Sequence, residues 1–250
     1  MQRTLAVLLL GLAASAALPA SPPPLEVLAY DTPHFFFHQD GKPAGLEFEI
    51  LQYYAKAKGQ TLHVIWVDKF ETMLDRLRHG EGEVAAGTFT ITPERQQVVS
   101  FSAPYMPVRV MLIEPRSRTT HALADLRGAT LATIKGTTYE QLLSAVPDAK
   151  LVYGITEDDL LRLVAGGKAR AAAADSAIVL GVLTGYPTLK LGIPLTREQG
   201  LGFAVSKGSP LAADLSKHIQ QLKSGQIYYR LLEKYFGAEA ARLVAAGKTP

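Results

Sequence analysis

The 250-residue chain contains no cysteine. No disulfide can staple it, so an exported version must be held by its core alone. A cysteine-anchored lipid is excluded too, which leaves a soluble exported protein as the expectation. Charge is scarce and balanced: charged residues make up 20% and the formal net charge is +3. No block of lysine or arginine is long enough to argue for nucleic acid as a partner. The histidines are scattered, with no close pair at metal-ligand spacing, so neither metal nor cofactor is expected. Apolar runs of membrane-spanning length are missing as well. The longest, Leu5 to Leu18, is about 14 residues, short of the ~20 needed to cross a bilayer.

That run has another meaning. Arg3 precedes it, and Leu18-Pro19-Ala20 follows with small residues at a possible cleavage point. Residues 1–20 are expected to be a secretory signal peptide, with the mature protein in the periplasm. Roughly 230 residues remain, enough for one large domain or two lobes of about 100 each. Apolar residues at 48% fit a globular chain rather than a disordered one.

Periodicity predicts strands alternating with helices. Leu25–Tyr30, Leu62–Val67 and Val84–Phe89 read as strands. Leu46–Lys58 and Phe70–His79 place apolar residues at helical spacing and end at Gly59 and Gly80. Later strands fall at Val108–Glu114, Thr130–Ile134, Lys150–Tyr153, Arg170–Ala174, Leu189–Ile193 and Gly202–Ser206. Helices are expected at Tyr139–Val146, Glu157–Ala165, Ser176–Leu183, Pro210–Leu222 and Gln226–Phe236. Such alternation predicts an α/β protein with mostly parallel sheets, and ligands of such sheets collect at strand carboxyl ends.

Three turns sit at such ends. Gly87-Thr88-Phe89-Thr90-Ile91-Thr92-Pro93-Glu94-Arg95 leaves a strand through a hydroxyl-rich turn and enters a helix at a proline. Free N–H groups at a helix start favour an anion, and a guanidinium fork can hold a carboxylate in two parallel bonds. Gly136-Thr137-Thr138 is a second hydroxyl-bearing turn, and Asp175 ends a run of small residues. The plain alternatives are a strand end with a surface arginine, and a helix N-cap for Asp175.

Together these pieces resemble a known family. The order and spacing of Asp31-Thr32, Gly45-Leu46-Glu47-Phe48-Glu49, Thr90 to Arg95, Phe101-Ser102-Ala103-Pro104-Tyr105, Asp125-Leu126-Arg127-Gly128, Gly136-Thr137-Thr138, Ala174-Asp175 and Lys234-Tyr235-Phe236-Gly237 carry the likeness. They resemble the periplasmic solute-binding proteins for polar amino acids that feed ABC transporters, extracellular solute-binding family 3. The ligand cores of ionotropic glutamate receptors share that architecture. The resemblance implies two lobes that close on a ligand. Lobe 1 is expected at 25–110 and 197–250, and lobe 2 at 111–196. Val108–Glu114 would carry one crossover and Ile193–Thr196 the other. It also implies an inner-membrane ABC permease as partner, and a monomer.

By the same resemblance, Arg95 pairs with a ligand α-carboxylate, with Thr90 supplying an N–H and a hydroxyl. Thr138 gives an N–H from the other lobe, with Thr137 beside it. The Thr88 carbonyl and the Asp175 carboxylate take the α-ammonium. Phe70 packs on the ligand, and His34 or Phe35 stacks on it. Asp31 meets a polar side-chain end, unless it only forms the turn before Pro33. Core packing is the alternative for Phe35. Glu47 reads as a solvated helix-start acid and Lys135 as an exposed lysine. Some departures touch specificity, among them Arg170-Ala171 where the family carries Asp-Ala, and an imidazole at 34. Binding without chemistry is the expected function, and the chain is expected not to be an enzyme. The rivals are a cyclohexadienyl dehydratase-like enzyme, with Asp175 as its acid, and a sensor or adaptor without a transporter.

Overall fold

The computed structural model describes residues 22–239, so the expected signal peptide at 1–20 lies outside the described residues. The chain builds two five-stranded sheets with helices packed on them. In the first, the strands run in the order Leu62–Trp66, Leu25–Ala29, Val84–Ala86, Ala204–Ser206, Val99–Phe101. In the second, the order is Lys150–Gly154, Thr130–Ile134, Ala171–Asp175, Val110–Pro115, Leu189–Pro194. Each sheet is mixed. In each, three strands joined by helical crossovers run parallel, one strand runs against them (Ala204–Ser206 in the first sheet, Val110–Pro115 in the second), and an edge strand beyond it runs with the three again.

Alternation along one strand explains how the first sheet is covered on both faces. Leu25, Val27 and Ala29 point into a core shared with the helices Leu46–Ala57, Leu211–Ser224 and Gln226–Phe236. Leu28 and Tyr30 point the other way, onto Phe70, Met73 and Leu77. The second sheet packs Leu112, Leu131 and the fully buried Ala171 to Ala174 against Leu143, Leu160, Leu161 and Val164. At about 25 cal/mol per Å² of buried apolar surface, these cores dominate the stability of a chain without disulfides.

The sheets are joined where Met106–Val108 pairs antiparallel with Gln199–Leu201. Val110 donates to the Thr196 hydroxyl at 3.0 Å and accepts from Leu195 N–H at 2.7 Å. Val110–Pro115 and Leu189–Pro194 are therefore strands of the second sheet, and the passage between sheets is confined to a few residues on each segment.

The helix Ser176–Leu183 touches both cores. Ala177 and Ile178 pack with the first sheet's residues, and Val179 packs with the second's. A Cβ added at Gly181 would lie 2.3 Å from His34 Cδ2, so the two halves are in close contact here. Gly136, at φ 76°, makes a second close approach: a Cβ there would lie 2.6 Å from Glu71 Cβ.

Candidate functional site

The turn after Val84–Ala86 is held in an unusual shape. Thr88 has φ 53°, a left-handed conformation that is uncommon for a non-glycine residue. Its N–H points at the Glu47 carboxylate, at 3.2 and 3.3 Å from the two oxygens. Tyr105 donates its hydroxyl to the same carboxylate at 2.7 Å. Glu47 is fully buried, against the expectation of a solvated helix-start acid. Burial pushes its pKa up to about 7, opposed by the bonds from Tyr105, Thr88 and Gly87. The cause lies two residues earlier. Gly45 runs so close to Phe35 that a Cβ would sit 2.2 Å from that carbonyl, and Glu47 N–H then donates to Phe35 O at 2.8 Å. The helix start is thus turned inward.

Thr92 caps the helix Pro93–Val98, accepting from Arg95 N–H at 3.3 Å. This cap aims the half-buried Arg95 side chain across the gap between the sheets. One guanidinium nitrogen donates to Thr90 O at 3.0 Å and the other to Gly136 O, in the second half, at 3.2 Å. The guanidinium lies 5.3 Å from the Phe89 ring centroid and 5.7 Å from that of Phe70.

Asp175 precedes the helix Ser176–Leu183 but makes no capping bond with its side chain. It is 1% exposed, and its Oδ1 has no hydrogen-bond partner. Oδ2 accepts from Tyr139 O–H at 3.3 Å. Burial raises its pKa to about 7, against the opposing effects of Tyr139, Arg95 and Thr90. The N-cap alternative therefore lacks its bond. Thr137, by contrast, is committed to structure: it caps the helix Thr138–Ser144 by accepting from Glu140 N–H at 3.3 Å, and donates to Ile134 O at 2.6 Å. Thr138 Oγ1 is buried without a partner.

One narrow cleft between the sheets gathers these groups. Seven of the ten residues singled out from sequence line it: Phe70, Thr88, Thr90, Arg95, Thr137, Thr138 and Asp175. Three do not. Thr32 and Phe36 bridge across a tight turn, with Thr32 N–H donating to Phe36 O at 2.8 Å. That turn carries the following rings away from the space. Phe35 is fully buried edge-on against Phe236 at 5.3 Å, which is the core-packing alternative. His34 lies 5.7 Å from Phe236 and faces Gly181. Asp31 is exposed and pairs with His38 at 3.1 Å.

Tyr30, Thr32, Ile134, Tyr139 and Glu157 complete the lining and were missed. Tyr30 and Ile134 sit at strand carboxyl ends, so the rule that flagged the turns applies equally to them. Tyr30 also donates its hydroxyl to Ile155 O in the other half. Glu157 offers no such signal, because an acid in the first turn of a helix is ordinary.

A cleft between two α/β halves, lined by hydroxyls, one guanidinium and buried carboxylates, defines the two-lobed class of binding protein. The chain belongs to the bacterial extracellular solute-binding proteins, family 3, whose sequence model matches residues 26–238. The substrate binding protein of an amino acid ABC transporter superposes with a TM-score of 0.76 at 26% identity, over 85% of this chain and 99% of that one. A mutant of ArgBP from T. maritima gives 0.78 at 25% identity, over 85% and 95%. The membrane-bound lytic murein transglycosylase F of Desulfosudis oleivorans is 29% identical over 222 residues, 85% of this chain and 48% of that protein. The chain spans about half the length of the curated relatives it matches. These relatives overturn the expectation that the chain is not an enzyme, because they carry an enzyme's name. Among the described residues, no helix is long and apolar enough to cross a membrane.

Proposed function

We propose that this chain binds a small zwitterion, an α-amino acid or close analogue, by closing two lobes around it. The lobes are residues 25–110 with 197–250, and residues 111–196. One observation carries the reading: buried Asp175, with Oδ1 unpartnered, faces the same space as Arg95 and the unpartnered Thr138 hydroxyl. A zwitterion needs a cationic fork and N–H groups at one end and acceptors at the other. Arg95, Thr90 and Thr138 N–H serve the carboxylate. Asp175 and the Thr88 carbonyl serve the ammonium, and Phe70 packs on the aliphatic part. Charge-assisted bonds of this kind contribute ~1.5–3 kcal/mol each.

The solute-binding family supports a periplasmic or extracellular site of action, and the amino acid transporter neighbour supports an ABC permease as partner. A second reading rests on the murein transglycosylase relatives: the same module serves murein turnover, and its ligand is an amino acid of the cell wall. A thermal-shift screen of the full chain against the twenty amino acids tests the shared core of both. Ligand at a hundred times its Kd adds ~2.7 kcal/mol, a rise of roughly 5–10 °C for a chain of this size. If no amino acid raises the melting point, the zwitterion reading is wrong. Calorimetry with soluble murein peptides beside free amino acids separates the second reading from the first.

A further inference from the structure

Two carboxylates, not one, reach into the cleft. Glu157 lines it beside Asp175, and Tyr139 O–H lies 3.4 Å from Glu157 Oε1 and 3.3 Å from Asp175 Oδ2. A phenol carries a single proton to donate, so it serves one carboxylate at a time.

Glu157 is not needed to cap its helix. It opens the helix Glu157–Ala165, but the cap of that helix is already complete. Thr156 accepts from Asp159 N–H at 3.2 Å, and Asp159 accepts from Thr156 N–H at 3.0 Å. Asp158 and Asp159 pair with Arg162 at 3.1 and 2.7 Å. Glu157 alone of the three is buried, at 5% exposure. A buried carboxylate without a cation is costly, and burial pushes this one up to about 7.

Charge counting then bears on the ligand. The lining holds one fixed cation, Arg95, and two carboxylates, Asp175 and Glu157. With both carboxylates ionised, a neutral zwitterion leaves the site one negative charge in excess, so it is met with one of the pair protonated; a second cationic group on the ligand favours the ionised pair. A ligand of net charge +1 brings the sum to zero. An acidic ligand would add a second uncompensated charge. The outer mouth does not alter the count, since it is lined by two acids, Asp68 and Glu71, and two lysines, Lys69 and Lys135. Glu157, Glu71, Asp159 and Asp31 all act on the Tyr30 phenol, so this wall of the cleft is acidic.

Resting on the amino-acid reading above, we infer that the site selects α-amino acids carrying a second cationic group. Asp175 takes the α-ammonium and Glu157 takes the cationic side-chain end. The probes are L-arginine, L-lysine, L-glutamine and L-glutamate, titrated calorimetrically into the full chain and its Glu157→Gln variant. In the unaltered protein, arginine or lysine is expected to bind at least tenfold tighter than glutamine, with glutamate weakest. In the variant, the cationic-to-neutral affinity ratio is expected to fall about tenfold. Glutamine or glutamate binding as tightly as the cationic pair in the unaltered protein overturns the inference while leaving the zwitterion reading intact. An unchanged ratio in a folded variant also overturns it. If none of the four binds, the inference is overturned, and the screen of the twenty amino acids decides the zwitterion reading separately. The ranking in the unaltered protein decides the matter even if the variant does not fold.

Discussion

Replacing Asp175 with asparagine should move two observables in opposite directions. The carboxylate is 1% exposed, its Oδ1 is unpartnered, and its pKa is raised from 3.8 to about 7. At 1.36 kcal/mol per unit, that elevation corresponds to at most ~4 kcal/mol of penalty on the charged form at neutral pH. Asparagine carries no charge and still offers an acceptor to Tyr139, but its amide must also be buried. A net gain of about 1–2 kcal/mol without ligand is a reasonable share, or roughly 2–8 °C in melting temperature. Amino-acid binding moves the other way. Losing a charge-assisted bond of ~1.5–3 kcal/mol weakens affinity about tenfold to 150-fold. The assay is differential scanning fluorimetry of the ligand-free protein, with calorimetry of an amino-acid ligand and its analogue lacking the α-amine. The analogue should lose little. Should the variant be less stable and lose affinity equally for both ligands, Asp175 is a structural residue and the ammonium argument is refuted.

Three further outcomes follow from the same geometry. Arg95→Ala should abolish calorimetric heats for amino acids while keeping the native circular dichroism spectrum, because it removes two bonds to carbonyls and a contact with the Phe70 and Phe89 rings but no buried apolar side chain; near-normal affinity would refute the carboxylate role. Stability should rise on acidification from pH 7.5 to 5.5. Glu47, Glu157 and Asp175 have native pKa values of about 7, above their ordinary 4.5, 4.5 and 3.8. The folded state therefore holds extra protons between those limits, and their stabilisation is full below the lower limits and lost as pH climbs through 7. Glu47→Gln should flatten that slope in thermal melts, and an unchanged slope would remove Glu47 from the account. Gly181→Ala places a Cβ 2.3 Å from the His34 ring and should hold the halves apart. Solution X-ray scattering with saturating ligand should then give a larger radius of gyration, and an unaltered profile would show that His34 simply yields.

Much of this was legible in the chain. Strand ends are marked by small and hydroxyl residues, and Thr92-Pro93 announces a helix start that the structure confirms with a capping bond. Hence the turns at 88–95 and 136–138 and Asp175 could be singled out from local sequence. The aromatic run at 34–37 could not be resolved the same way. Whether a ring faces a ligand or the core depends on the Thr32–Phe36 bridge, a feature with no local signature. Glu47 and Glu157 were hidden because a helix-start acid is solvated by default. Each is buried by something distant in sequence: Tyr105 above one, Tyr139 and Asp175 beside the other.

The first sheet places Ala204–Ser206 between Val84–Ala86 and Val99–Phe101. A nascent polypeptide cannot finish that sheet until Ala204–Ser206 has emerged. The inserted half, from Val110 to Pro194, is contiguous and has all five of its strands long before then. Assembly order is therefore written into the strand arrangement: the middle of the chain can consolidate first, and the N-terminal segments must wait, unpaired along one edge, for the last stretch to slot in.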